Sequence, residues 1–314
     1  MFAHLLSWLR EQRIDCRENA AIGPFLYFKI GGKVSLLIIC TSPAQLAACL
    51  QKIINEKIPY LVIGGGSNIA FNDGLTRAVV LVYQGSAKKT TAAQLLDCQA
   101  LQVGAGVKNQ VLLSWCVAHG AGGLEFLSGI PGTVGGAAAV NAGAFGHSLA
   151  DVLLGADIVD ERGSIQAVGA GYFAFSYRDS RFKFGNEVIL SLRLKFSSAD
   201  KTVISRKIKE NLDYRLSRHP SYRHPSAGCF FKNPLLADGK RSAGKIIEEC
   251  GLKNLTVGGL SVAAEHGNFL LNRGNASFDD LQRLESEIKA AVAARTGIDL
   301  AREVIYVSAD GKKY

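Results

Sequence analysis

Gly129-Ile-Pro-Gly-Thr-Val-Gly-Gly-Ala-Ala-Ala-Val-Asn-Ala-Gly-Ala-Phe-Gly146 is the stretch on which the fold turns. Its side chains are small over most of its length, so a flat ligand or a pyrophosphate could reach the backbone. Gly129, Gly132, Gly135, Gly136 and Gly143 supply the bare backbone, Pro131 fixes one turn, and Thr133 and Asn141 offer polar contacts. A second, shorter segment, Ile63-Gly-Gly-Gly-Ser-Asn68, follows directly on the apolar, strand-like run Tyr60–Ile63. Gly64, Gly65 and Gly66 let the chain turn sharply there and gather N–H groups inward, a nest suited to phosphate, with Ser67 and Asn68 at its exit. A plain strand-ending turn would use the same glycines. Neither segment is a G-x-G-x-x-G, so a Rossmann fold is not supported.

Working outward, Val34–Cys40 is a β-branched apolar run and Pro43–Asn55 has helical spacing, so a β–α–β unit leads into the first glycine segment. Further strands are expected at Val79–Tyr83, Leu101–Val103, Ala156–Asp160, Val188–Phe196 and Leu300–Val307. Helices are expected at Asn109–His119, Val203–Leu216, Ala243–Cys250 and Phe278–Arg295. Gly251 and the Ser277/Asp280 pair give the C-cap and N-cap signals of the last two. The N-terminus reads as an amphipathic helix rather than a signal peptide, and no apolar run has the length to cross a bilayer. A cytoplasmic location follows as the expectation. The seven cysteines are odd in number and lack C-x-x-C spacing, which argues against a disulfide framework or a zinc site. No metal is expected.

The formal net charge is +9, and Lys201 to Asn254 alone holds 12 Lys+Arg against 5 Asp+Glu. A basic stretch attracts anions. Aromatic and basic residues do not interleave there as a base-stacking surface requires, so a small anion is favoured over nucleic acid. Gly239-Lys-Arg-Ser-Ala-Gly-Lys245 has P-loop spacing, but Ile246 stands where the magnesium-binding hydroxyl belongs. Cys229, in Ser226-Ala-Gly-Cys-Phe-Phe-Lys-Asn-Pro234, has Lys232 nearby; a thiol beside a cation can donate a proton or act as a nucleophile. If this run is a strand, residues 229, 231 and 233 share one face. Arg178, in Tyr177-Arg-Asp-Ser180, presents a fork suited to a carboxylate or diphosphate. Glu303 precedes an apolar run and needs a partner or a task. His266 and Asn268 form a small polar cluster without metal-ligand spacing. Taken singly, Cys229 could equally be a buried structural thiol, Tyr177–Ser180 a surface turn with a local Arg–Asp pair, and Glu303 an edge charge.

In order along the chain, these motifs resemble the UDP-N-acetylenolpyruvoylglucosamine reductase family. They are Ile30-Gly-Gly32, Ile63 to Asn68, Gly123-Leu-Glu125, Gly129 to Gly136 with Asn141-Ala-Gly143, Tyr177 to Ser180, Ala227 to Pro234, Ala243-Gly-Lys245 with Glu249 to Lys253, His266 to Phe269, and Glu303-Val304. The short interval between Ser180 and Leu192 is similar to the family's shorter form, which lacks an extra tyrosine-bearing loop.

The resemblance implies an α+β fold: an FAD-binding module of the vanillyl-alcohol-oxidase type in two subdomains, then a C-terminal α+β substrate domain. Boundaries are expected at 1–85, 86–198 and 199–314, with the final strand returning toward the active site. It implies non-covalent FAD held by the two glycine segments, NADPH as co-substrate, an enolpyruvyl UDP-sugar as substrate, and a monomer. It further implies that Arg178 holds the substrate carboxylate, that Glu303 stabilises or protonates the intermediate, and that Cys229 stands where the family uses a serine as proton donor. Tyr177, Lys232, Asn233 and His266 are matched to substrate binding. Two departures accompany these: Lys29 where a threonine is common, and Arg302 where a proline is common. The competing expectations are another FAD-linked oxidase of the same fold, or a basic nucleotide-binding protein without catalysis.

Overall fold

The computed structural model describes residues 2–85, 93–221, 223–237 and 239–314. The chain forms two compact units, each drawn from separated segments. The first comprises Met1–Glu18, Ser35–Gly65 and Ala78–Tyr214; the second comprises Asn19–Val34, Gly66–Arg77 and Arg215–Tyr314. The first glycine segment therefore crosses from one unit to the other between Gly65 and Gly66. Residues 19–34 and 66–77 share a unit with the C-terminal part, and no unit edge falls between 198 and 199.

In the first unit, local signals set the helix ends. Ser42 accepts a hydrogen bond from the Gln45 N–H at 3.2 Å and Pro43 opens the helix Pro43–Asn55. That helix buries Leu46, Cys49, Leu50 and Ile53. The helix Asn109–His119 ends at Gly120, whose φ of 67° is the left-handed conformation glycine adopts without a Cβ clash. Two sheets flank these helices in the core. One runs Asp15–Ala21, Lys33–Cys40, Leu75–Tyr83, Tyr60–Ile63, with the last two strands parallel. The other is antiparallel, in the order Ile165–Gly169, Leu153–Val159, Val188–Lys195, Ala100–Gly104, Ala93–Leu95. Leu36, Ile38, Val79, Leu81, Leu101, Val103, Leu192 and Leu194 alternate into one continuous apolar core. Cys40, Cys49 and Cys116 are buried free thiols in it.

In the second unit, the helix Phe278–Thr296 carries a capping box: Ser277 accepts from the Asp280 N–H at 2.9 Å and Asp280 accepts from the Ser277 N–H at 3.1 Å. Its Leu281, Leu284, Ile288 and Val292 pack with Val257, Leu260, Val262 and Leu270 of a three-stranded antiparallel sheet. The closing strand is shorter than expected. Only Ile305–Val307 forms a ladder, parallel to Ile69–Phe71. Residues 301–303 instead pair with 230–232, so the chain changes partner just before Ile305. Among the described residues, no helix is long and apolar enough to cross a membrane.

Candidate functional site

Within the first unit, Gly64 and Gly65 of the first glycine segment lie against Gly132 and Thr133 of the second. A Cβ on Gly64 would come 2.2 Å from Thr133 Oγ1, and one on Gly65 would come 2.4 Å from Gly132 Cα. At Gly65 backbone therefore packs on backbone, at Gly64 the Thr133 side chain takes the space of a Cβ, and glycine is required at both. Gly135 is equally constrained, its Cβ falling 2.5 Å from that of Ala105. Gly129 and Gly132 have φ of 70° and 102°, which shape the loop before the helix Val134–Ala139. Thr133 caps that helix, its hydroxyl accepting from the Gly136 N–H at 3.3 Å. Asn141 uses its side chain on the fold: Nδ2 donates to the Ser176 carbonyl at 2.9 Å and Oδ1 accepts from the Ala150 N–H at 3.1 Å. These two polar residues thus hold the loop in shape.

Sequence reasoning missed Asn109. It is fully buried, its Nδ2 donates to the Ile130 carbonyl at 3.1 Å, and its N–H donates to the Gly132 carbonyl at 3.1 Å. Its Oδ1 is a buried acceptor without a protein partner. Only its placement at a helix start hinted at the role. Gly136 is exposed, and a Cβ there would meet only Thr133 Oγ1, at 3.3 Å. A bare, partly exposed backbone beside a buried orphan acceptor fits a flat, phosphate-bearing cofactor such as FAD.

Arg178 sits at the tip of a tight turn closed by mutual backbone bonds between Ser176 and Asp179. Its φ of 56° is an uncommon conformation for a non-glycine residue, and such strain concentrates at functional positions. Its Nη2 donates to the Gly143 carbonyl at 2.7 Å and Nη1 to the Asn141 carbonyl at 3.4 Å. The arginine is thus tied to the second glycine segment. Tyr177 is exposed, with its ring 5.5 Å from the Arg178 guanidinium carbon.

In the second unit, Gly66 approaches Phe25 so closely that a Cβ would fall 2.2 Å from its carbonyl oxygen, and Ser67 is half-buried. Asn68 accepts the Ile305 N–H at 3.0 Å and its Nδ2 donates to the Glu303 carbonyl at 3.3 Å. Cys229 lies on a central extended segment, half-exposed, packed against Phe269 and Leu271. This segment forms isolated bridges, residue 229 with 269 and residue 231 with 302, and not the ladder strand considered from sequence. Side-chain bonds take the place of a ladder. Asn268 Oδ1 accepts from the Phe231 N–H and its Nδ2 donates to the Phe231 carbonyl, both at 2.8 Å. On the other flank the Glu303 N–H donates to the Phe230 carbonyl and the Lys232 N–H to that of Ala301, both at 2.8 Å. Glu303 and Lys232 are half-buried. Asn233 caps a helix, its Oδ1 accepting from the Ala243 N–H at 2.9 Å.

His266 packs on Gly244, where a Cβ would lie 2.5 Å from its Cε1; this explains the glycine of the apparent P-loop. Its Nδ1 accepts from the Asn268 N–H at 3.1 Å. Burial lowers its pKa, opposed by Glu248. His219, which the sequence gave no reason to select, lies 5.6 Å from His266 and 4.9 Å from Phe269, ring to ring. Burial, with Arg215 and His266 adding to it, lowers its pKa to about 4. Both rings are therefore neutral near pH 7. Among the described residues no cluster could hold a metal ion.

Residues 34–169 match the FAD-binding domain family, and residues 219–307 match the C-terminal domain of UDP-N-acetylenolpyruvoylglucosamine reductase. The reductase of that name from Geotalea uraniireducens is 36% identical over 298 residues, covering 95% of this chain and 96% of the relative. That from Geobacter metallireducens is 37% identical and covers 88% of each. The crystal structure of UDP-N-acetylenolpyruvylglucosamine reductase from Thermus caldophilus superposes with a TM-score of 0.74 at 29% identity, over 94% of this chain and 98% of that one. The chain belongs to the UDP-N-acetylenolpyruvoylglucosamine reductase family, FAD-binding oxidoreductases that act on the enolpyruvyl group of a UDP-sugar in peptidoglycan synthesis.

Proposed function

We propose that Arg178, Cys229 and Glu303 carry the substrate chemistry of this NADPH-dependent reduction, and that Ile63–Asn68 and Gly129–Gly143 hold FAD non-covalently. Bound FAD supplies hydride storage between NADPH and the enolpyruvyl group. Saturating the double bond adds a hydride to the vinyl carbon and a proton to the carbon bearing the carboxylate. Charge builds on that carboxylate as an enolate-like species before the proton arrives. The fixed guanidinium of Arg178 is suited to hold it. Cys229 gives the proton, and its thiolate is reprotonated from water. Glu303 stabilises or protonates the same intermediate; Tyr177, Lys232, Asn233 and His266 bind the nucleotide-sugar. The observation that carries this reading is the backbone tie between the Cys229 and Glu303 segments, Glu303 N–H to Phe230 O at 2.8 Å. It holds a proton donor and a carboxylate on adjoining chain segments.

A thiol has a reference pKa of about 8.5, so it is a far stronger acid than the serine it replaces, and its thiolate cannot donate. Activity should therefore decline as pH rises through the thiol's pKa. Cys229→Ala should slow anaerobic reoxidation of the reduced enzyme by the enolpyruvyl nucleotide-sugar by roughly 100-fold, the scale of general acid catalysis. Reduction by NADPH should be unchanged. Full rates in both half-reactions would remove Cys229 from the mechanism. The same reading has the chain working in the cytoplasm as a monomer, with 1–85 and 86–198 serving the cofactor and 199–314 the substrate.

A further inference from the structure

Arg302 stands beside Glu303, and its side chain is not loose. Its Nη1 donates to Glu285 Oε2 at 3.2 Å, with the two side chains 20% and 13% exposed. Its guanidinium carbon lies 3.5 Å from the centre of the Tyr306 ring. Tyr306 is fully buried, and its hydroxyl donates to the same Glu285 oxygen at 2.7 Å. Glu285 lies within the helix Phe278–Thr296, whose Leu281, Leu284 and Ile288 share a core with Val304 and Tyr306. Residues 302, 304 and 306 are thus all anchored to one helix and its core. Glu303 lies between two anchored neighbours, with its own N–H and carbonyl bonded to Phe230 and Asn68.

We infer that Arg302, Glu285 and Tyr306 form a positioning network that fixes Glu303 for the reaction. The inference rests on the role proposed above for Glu303. The backbone would also accept a proline at 302, which gives the network a control. Residues 302 and 231 face each other, but the bonds flanking them use the Ala301 carbonyl and the Glu303 N–H. The Arg302 N–H has no place in that pairing, so a proline there removes no ribbon bond. A proline stiffens the chain by fixing φ. The arginine achieves the same end through a planar ion pair and a stacked ring, which hold position 302 from its side chain. A lysine could not do both.

The test is anaerobic stopped-flow on the flavin-loaded protein, with NADPH reduction and reoxidation by the enolpyruvyl nucleotide-sugar measured separately. Arg302→Ala and Glu285→Gln should slow reoxidation about 10- to 100-fold, the scale of a small misplacement of a reacting group. NADPH reduction should stay within twofold. Arg302→Pro should recover most of the rate that Arg302→Ala loses, which a general packing defect would not predict. If Arg302→Ala does not retain flavin, Glu285→Gln reads the same step without touching position 302. Reoxidation within twofold of the parent in Arg302→Ala and Glu285→Gln, or Arg302→Pro as slow as Arg302→Ala, overturns the network. Glu303→Gln is measured alongside. If it is slow while the network variants are fast, only the network falls; if it is as fast as the parent, the role of Glu303 falls and the network with it.

Discussion

The glycine cradle of the first unit and the Cys229 segment of the second hold their backbones in opposite ways. The cradle works by leaving side chains out: bare backbone at Gly65 and Gly135 meets Gly132 and Ala105 at distances no Cβ would allow. The Cys229 segment works by putting side chains in: Asn268 bonds both backbone groups of Phe231, Asn233 caps a helix, and two phenylalanines anchor the core. The first design should fail on adding one carbon, the second on removing one amide. Gly65→Ala is the sharpest way to break the contrast. A Cβ 2.4 Å from Gly132 Cα forces backbone to move, and overpacking of this kind costs about 3 kcal/mol or more. The expected outcome is a colourless protein with a lower melting temperature; a yellow, stable variant would mean the segments are not fixed against each other.

Asn268→Ala probes the other design. The side chain is 2% exposed, and its removal leaves the Phe231 N–H and carbonyl without their partners. Two orphaned buried groups cost about 2–4 kcal/mol. Denaturant unfolding measures this, and reoxidation by the nucleotide-sugar should suffer more than NADPH reduction. Equal loss in both half-reactions would mean the asparagine supports the unit generally.

The same contrast explains what could be read from the sequence. Helices Pro43–Asn55 and Asn109–His119 were legible to the residue because Pro43, Ser42 and Gly120 act within one turn of their ends. The glycine segments were legible because absence of side chains is visible in a sequence. The hold on Cys229 was not, since Asn268 lies 37 residues beyond Phe231 and no local period reports it. The closing strand misled for a similar reason: Leu300–Val307 reads as one run, but residues 301–303 and the last three choose different partners, with a bend at Val304 between them. His219 was missed because its importance comes from burial against His266 and Phe269, which are distant in sequence.

Acid should separate the two units in a third way. His219 has a folded pKa of about 4 against an ordinary value of 6.5. The unfolded chain therefore binds a proton between these pH values that the folded one does not. Stability from this residue is full above about pH 6.5 and falls as pH drops toward 4, by an amount on the order of 2 kcal/mol. His266, also lowered by burial, adds in the same direction. Hydrogen exchange at pH 7 and pH 5 should show the segments around 219 and 266 opening earlier than the Leu36–Val103 core. His219→Gln should flatten the difference; an unchanged pH profile would place the acid sensitivity elsewhere.

The smallest expected effect returns to the cradle, at a place where it does rely on a side chain. Thr133 is 3% exposed and its hydroxyl accepts from the Gly136 N–H at 3.3 Å, a long bond at the start of a six-residue helix. Losing a cap of this kind costs about 1 kcal/mol. Thr133→Ala should therefore lower stability modestly while the glycine contacts persist, and flavin should be retained with a weaker affinity. Thr133→Ser, which keeps the hydroxyl, should recover the stability. If Thr133→Ala instead releases flavin as completely as Gly65→Ala, the hydroxyl meets the cofactor directly, and the cradle depends on more than bare backbone.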